Sequence, residues 1–259
     1  MRKEILSYIN TGNLNSSITV ILIHGALMTK EGMLPIASLL EKYNCILLDL
    51  TEHGESCGLE PKDIVGFAQD VETTIYELKE QGIITKKQIF LGYSMGGAVV
   101  CEIANRKNIS VDGMILLSTG ANLSKYTPLI DEIKAHSVSE FSSVELFKHA
   151  FGKDSSEEQR TQILDALCNT KVSDQLGYQD LLLVSKYNKL HELKNMNIPA
   201  LIVHGNEDEV IKVEAAIDLY EQLDNSELVI LPYRGHTLIY EETDIIRDKL
   251  CSFIKKIEI

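Results

Sequence analysis

Short apolar runs rich in β-branched residues recur along the chain at Thr19–Ile23, Cys45–Leu50, Gln88–Leu91, Gly113–Leu117, Pro199–Val203 and Glu227–Leu231. A run that is apolar without alternation marks a strand covered on both faces, as in a parallel sheet packed between helices. Between the runs lie amphipathic segments of helix length: Glu31–Lys42, Asp63–Gln81, Met95–Arg106, Val213–Gln222 and Thr237–Lys256. Strand and helix in alternation predict an α/β fold with a doubly wound, mostly parallel central sheet flanked by helices. Glu4–Ile9 predicts one further strand, placed at a sheet edge because the polar Gly12–Ser17 that follows reads as a turn.

The alternation breaks between about Asn122 and Leu190. This stretch predicts helices instead, at Leu129–His136, Ser143–Phe151, Ser155–Asn169 and Ser173–Tyr187, and Ser155 followed by Glu158 has the spacing of a capping box. Residues 1–121 and 191–259 are therefore expected to form the core, with 122–190 inserted between late strands. Such an insertion sits at the carboxyl edge of the sheet, where folds of this kind bind ligands, and reads as a lid.

Composition narrows the partners. With 38 acidic against 25 basic residues, the net charge is −13, and such a field repels nucleic acid and anionic lipid surfaces. Cys45, Cys57, Cys101, Cys168 and Cys251 form no C-x-x-C pair and are odd in number, which points to a reducing, cytoplasmic setting. The first ten residues mix polar with apolar and carry no signal-peptide core. No apolar run approaches the roughly 18 to 20 residues of a transmembrane helix.

The segment Gln88-Ile-Phe-Leu-Gly-Tyr-Ser-Met-Gly-Gly97 is a strand running through G-x-S-x-G into the start of a helix. Small residues at Gly92 and Gly96 let Ser94 stand on a cramped turn with its hydroxyl lifted above the sheet edge. A serine hydroxyl is a weak nucleophile until a base takes its proton, and that base needs an orienting carboxylate. This segment resembles the nucleophile elbow of the α/β-hydrolase family, and the likeness covers nearly the whole chain.

The resemblance implies the remaining roles. His236, in Pro232-Tyr-Arg-Gly-His236 after the last strand, matches the catalytic histidine. Asp208 matches the orienting acid in a G-x-x-D turn, with Glu207 and Glu209 as neighbouring rivals. The turn after Leu117, Ser118-Thr-Gly-Ala121, offers no carboxylate at the family's alternative position. The oxyanion hole is expected from the backbone amides of Met95 and Ala26, with Leu27 also open for the second donor. His24-Gly25 resembles the turn that positions this second amide, and His53-Gly54 a structural loop. His204 reads as packed, while His136, His149 and His191 fall in or beside the insertion.

The expected reaction is hydrolysis of a small-molecule carboxylic ester with an apolar acyl chain through an acyl-enzyme, as in the small carboxylesterases and monoacylglycerol lipases that the chain resembles. The family mechanism calls for no cofactor and no metal. A slow-turnover ligand sensor, or a thioesterase, amidase or triad-bearing lyase on the same scaffold, are the alternatives.

Overall fold

The computed structural model describes residues 5–56, 63–126, 147, 149–168, 172–241 and 243–258. In chain order it runs β1 (Tyr8–Gly12), β2 (Ile18–Ile23), a 3₁₀ turn (Lys30–Met33), α1 (Leu34–Ser38), β3 (Asn44–Leu48), α2 (Ile64–Glu80), β4 (Lys87–Tyr93), α3 (Met95–Arg106) and β5 (Gly113–Leu117). There follow α4 (Leu123–Tyr126), α5 (Glu157–Cys168), α6 (Asp174–Val184), a second 3₁₀ turn (Leu190–Leu193), β6 (Ala200–Gly205), α7 (Glu214–Gln222), β7 (Ser226–Leu231), α8 (Leu238–Glu241) and α9 (Thr243–Glu258).

The seven strands form one sheet in the order β1-β3-β2-β4-β5-β6-β7. Only β1 is antiparallel to its neighbour, in the register Tyr8↔Leu48 to Gly12↔Asn44. Val20 aligns with Cys45 on one side and Ile89 on the other, and Val203 with Val229. Every residue of β2, β3, β5 and β6 is buried, which is why their sequences are continuous rather than alternating. The outer strand β7 is half exposed along most of its length, with Ile230 facing solvent.

Two expectations are corrected. The first strand lies at the sheet edge but at Tyr8–Gly12 rather than Glu4–Ile9; an edge strand with partly exposed faces tolerates Asn10 and Thr11. The helix expected over Glu31–Lys42 is broken into the 3₁₀ turn and the short α1. Pro35 stands in the first turn of α1, where its missing N–H is harmless, but it cannot extend the turn before it. The last helical stretch is described as α8 and α9, residue 242 between them lying outside the described residues, and His236 stays in the loop ahead of them.

Between β5 and β6 the described residues contain helices and one isolated bridge, Asn122↔Asn188, and no strand. The helix expected at Leu129–His136 and most of Ser143–Phe151 lie outside the described residues. The capping box of α5 sits one residue later than expected. Gln159 N–H donates to Ser156 Oγ at 3.2 Å and Ser156 N–H donates to Gln159 Oε1 at 2.9 Å. Ser155 Oγ is buried with no partner among the described residues. Ser173 caps α6 by accepting the Leu176 N–H at 3.2 Å. No helix among the described residues is long and apolar enough to cross a membrane.

Candidate active site

Ser94 joins β4 to α3 with φ 54° and ψ −120°, a backbone conformation that side-chain-bearing residues rarely hold. The turn is this sharp because the chain around it is in backbone contact. A Cβ on Gly92 would stand 2.3 Å from Gly96 O, and one on Gly96 would stand 2.3 Å from Ile23 O and 2.5 Å from His24 O. The serine peptide is tied down as well: its N–H donates to Leu117 O at 2.9 Å, and its carbonyl accepts from Thr119 Oγ1 at 2.7 Å.

His236 reaches Ser94 from the loop after β7. Its Nε2 lies 2.9 Å from Ser94 Oγ and its Nδ1 lies 2.7 Å from Asp208 Oδ2. The facing carboxylate makes Nδ1 the protonated nitrogen and leaves Nε2 to accept from the serine. The backbone carbonyl of His236 accepts from Tyr93 Oη and Ser118 Oγ, both at 3.0 Å, so two strand ends fix the imidazole's base.

Asp208 is buried, yet its carboxyl is held well below the usual carboxylate range. Burial works against ionisation, and the positive or hydrogen-bonding faces of His236 and His204 outweigh it. Oδ1 accepts the N–H of Val210 at 2.9 Å and of Ile211 at 2.8 Å. His204 Nε2 lies 2.8 Å from Ile211 O and 3.2 Å from Asp208 Oδ2, so it donates in that direction. His204 is packed, as its place in a buried strand implied, but it also touches the acid; nothing in the sequence pattern distinguishes a packed imidazole from one that contacts a neighbouring turn. The rivals are spent elsewhere: Glu207 pairs with Lys153 Nζ at 2.9 Å, and Glu209 pairs with Lys212.

The turn after β2 stands beside the elbow: a Cβ on Gly25 would be 3.0 Å from Ser94 Cβ. His24 braces it, with Nδ1 2.8 Å from Gly25 O while Nε2 accepts the Leu50 N–H at 3.0 Å. That imidazole is neutral; burial first, then the neighbouring His53, pushes its pKa well below the ordinary value. Leu27 has φ 64°, and its N–H donates to Asp180 Oδ2 at 3.2 Å. The same oxygen lies 2.9 Å from His53 Nε2. Burial would lower the pKa of His53, but Asp180 raises it overall. Sequence reasoning missed Asp180; it reads as one acid in an amphipathic helix, and its partner is 127 positions away. Leu27, Ser94 and Ser118, in the turns that build the site, and Tyr233, in the loop before His236, have positive φ, as do Glu52, Lys107 and Asn195 elsewhere.

The stretch 150–153 is stitched to the loop carrying His236. Thr237 N–H donates to Ala150 O at 3.1 Å, and Lys153 N–H donates to Glu207 Oε2 at 2.8 Å in the neighbouring loop that carries Asp208. The two glycines in this seam, Gly152 and Gly235, are in backbone contact: a Cβ on Gly235 would stand 2.5 Å from Gly152 N. Beside Ser94 and His236 a small cavity is walled by Ala26, Leu27, Met28, Phe147, Leu181 and Val210. His191 and His149 are exposed and distant in role, and His136 lies outside the described residues. Among the described residues no group of three His, Cys, Asp or Glu side chains is placed to hold a metal ion.

Residues 15–243 match the family model described as serine aminopeptidase, S33. The chain belongs to this family. The uncharacterized hydrolase YugF of Bacillus subtilis is 25% identical over 92% of this chain and 90% of that protein. Lipase 1 of Psychrobacter immobilis is 25% identical over 95% of this chain and 79% of its own length. Among solved structures, a lipase-esterase related protein of Clostridium acetobutylicum superposes with a TM-score of 0.85 at 25% identity, covering 96% of this chain and 99% of that one. The chain is thus a hydrolase of the α/β-hydrolase fold, esterase- and lipase-like in its relatives.

Proposed function

We propose that this protein is a serine hydrolase that cleaves a carboxylic ester with an apolar acyl group through an acyl-enzyme. The observation that carries this reading is the unbroken line from Ser94 Oγ through His236 to Asp208, at 2.9 and 2.7 Å, on a strained elbow. Ser94 attacks the carbonyl carbon as His236 Nε2 takes its proton, and Asp208 stabilises the imidazolium. The amides of Ala26 and Met95 receive the oxyanion; Leu27 is the weaker candidate because its amide is already engaged by Asp180. Collapse expels the alcohol, which takes the proton from His236, and a water activated by the same imidazole then releases the acid.

An ester is favoured over a peptide with a free amino terminus, although the family takes its description from an aminopeptidase. Beside Ser94 and His236 the cavity is lined by Ala26, Leu27, Met28, Tyr93, Phe147, Ala150, Leu181 and Val210, and among the described residues its lining includes no carboxylate to receive an ammonium group. Two relatives are named for lipase or esterase character. Residues 122–190 act as the lid in this reading, since Phe147, Ala150 and Leu181 reach the cavity beside Ser94.

The test is pre-steady-state release of p-nitrophenol from short and medium acyl esters, beside matching anilides and thioesters. A burst followed by turnover, abolished in Ser94→Ala and His236→Ala, is expected. Activity that survives Ser94→Ala would overturn the mechanism, preference for anilides would move the substrate to amides, and silence on every substrate would favour a ligand sensor.

A further inference from the structure

Asp180 is the one acidic residue on the buried face of α6, beside Gly177, Leu181 and Val184. A carboxylate this deeply buried is costly unless it is paired and hydrogen-bonded. Its Oδ2 meets two partners from separate parts of the core, the Leu27 N–H at 3.2 Å and His53 Nε2 at 2.9 Å. Its Oδ1 is buried with no hydrogen-bond partner among the described residues.

The proton count at this pair is set by the acceptors around His53. Nδ1 lies 2.9 Å from Thr51 O, a carbonyl that can only accept, so Nδ1 carries a proton. Nε2 faces a carboxylate oxygen that is itself receiving the Leu27 N–H. An ionised Asp180 against a bare Nε2 would set lone pair against lone pair. One extra proton is therefore held between Nε2 and Asp180. The neighbouring imidazole, His24, is 4.9 Å away between ring centres and neutral, and Phe67 closes the other side of His53. Asp49, the remaining acid that acts on His53, sits in the same loop.

This proton-bearing pair ends on the amide of Leu27, the residue whose φ of 64° bends the turn after Ala26. We propose that Asp180 is a positioning residue: with the proton shared with His53, its carboxylate holds the Leu27 amide inward and so aims the Ala26 amide at the developing oxyanion. The helical segment between β5 and β6 thereby completes the oxyanion hole without touching substrate. This inference rests on the serine-hydrolase reading of Ser94.

The experiment compares wild type, Asp180→Asn and His53→Gln, each titrated at Ser94 with a fluorophosphonate and read by intact mass. Failure of wild-type labelling would sink the serine-hydrolase reading itself, and is distinguishable from a failure of the role given to Asp180, which leaves labelling intact. In Asp180→Asn, kcat per titrated site for p-nitrophenyl butyrate should fall on the order of 10- to 100-fold, since a donor is misplaced rather than removed. KM should stay within about twofold, because ground-state binding does not use that donor. His53→Gln should move in the same direction. The imidazole region of the wild-type NMR spectrum should show two slowly exchanging downfield protons at the His53 ring nitrogens. An Asp180→Asn protein that melts earlier but keeps wild-type kcat per titrated site would reduce Asp180 to a structural strut. A single proton at the His53 ring would overturn the shared-proton pair even if neither variant folds.

Discussion

Replacing Asp208 with asparagine probes the proposed relay with little change of shape. Oδ1 accepts two backbone amides, from Val210 at 2.9 Å and Ile211 at 2.8 Å; Oδ2 receives His236 Nδ1 at 2.7 Å and lies 3.2 Å from His204 Nε2. An asparagine has one acceptor end and one donor end. If its carbonyl keeps the two amides, its NH₂ faces two imidazole N–H groups. His236 must then carry its proton on Nε2, the atom that has to accept from Ser94. If the amide flips, the NH₂ faces two backbone donors instead. Neither orientation preserves the working tautomer, and loss of that tautomer in a serine triad costs about 10⁴ in kcat, or about 5 kcal/mol at 1.36 kcal/mol per decade. Each buried donor left unpaired adds about 1–3 kcal/mol of instability. The assay is burst amplitude and kcat on p-nitrophenyl butyrate, normalised to folded protein, with KM close to wild type. Glu207→Gln and Glu209→Gln should leave kcat at the wild-type level. An Asp208→Asn enzyme within tenfold of wild type, or a loss in either glutamate variant matching it, would refute the assignment of the acid.

Packing and charge lead to two further outcomes. Gly96→Ala places a Cβ 2.3 Å from Ile23 O, where only backbone can yield, so α3 must shift away from β2; we expect a stability loss of about 1–3 kcal/mol in thermal melts together with loss of fluorophosphonate labelling at Ser94. His53 has its folded pKa raised by Asp180, so its contribution is present in full below the unfolded value of about 6.5 and is lost as pH rises through the folded value. The wild-type melting temperature should therefore decline on the alkaline side more steeply than that of His53→Gln, and parallel curves would contradict it.

The parts of the molecule that read directly from the sequence are those whose cause is local. A strand buried on both faces must be apolar throughout, and β2, β3, β5 and β6 are. The elbow needs Gly92 and Gly96 within a few residues of Ser94, and Asp208 and His236 each follow a strand end, so their motifs survive as short strings. The edge strand was displaced because an edge has no second buried face to enforce a pattern, and the Glu31–Lys42 periodicity hid the interruption at Pro35. The contacts of His204 and Asp180 were not legible, because each depends on chain segments brought together only by folding; a buried acid looks like any other polar position on a helix until its partner is known.

The seam between Gly152 and Gly235 bears on how freely this scaffold can be rebuilt. Residues 122–190 look like an interchangeable cassette between two strands, the kind of unit one would graft between homologues to alter substrate preference. Yet Gly152 lies against the loop that carries His236, and Asp180 grips the turn after β2. A graft that keeps the junctions but lacks a glycine at 152 has no room beside Gly235, and one lacking an acid at 180 leaves His53 without its counter-ion. Chimeras in this architecture should therefore be cut so that 150–153 and 180 travel with the recipient core, and the useful freedom for diversification lies in the residues between them.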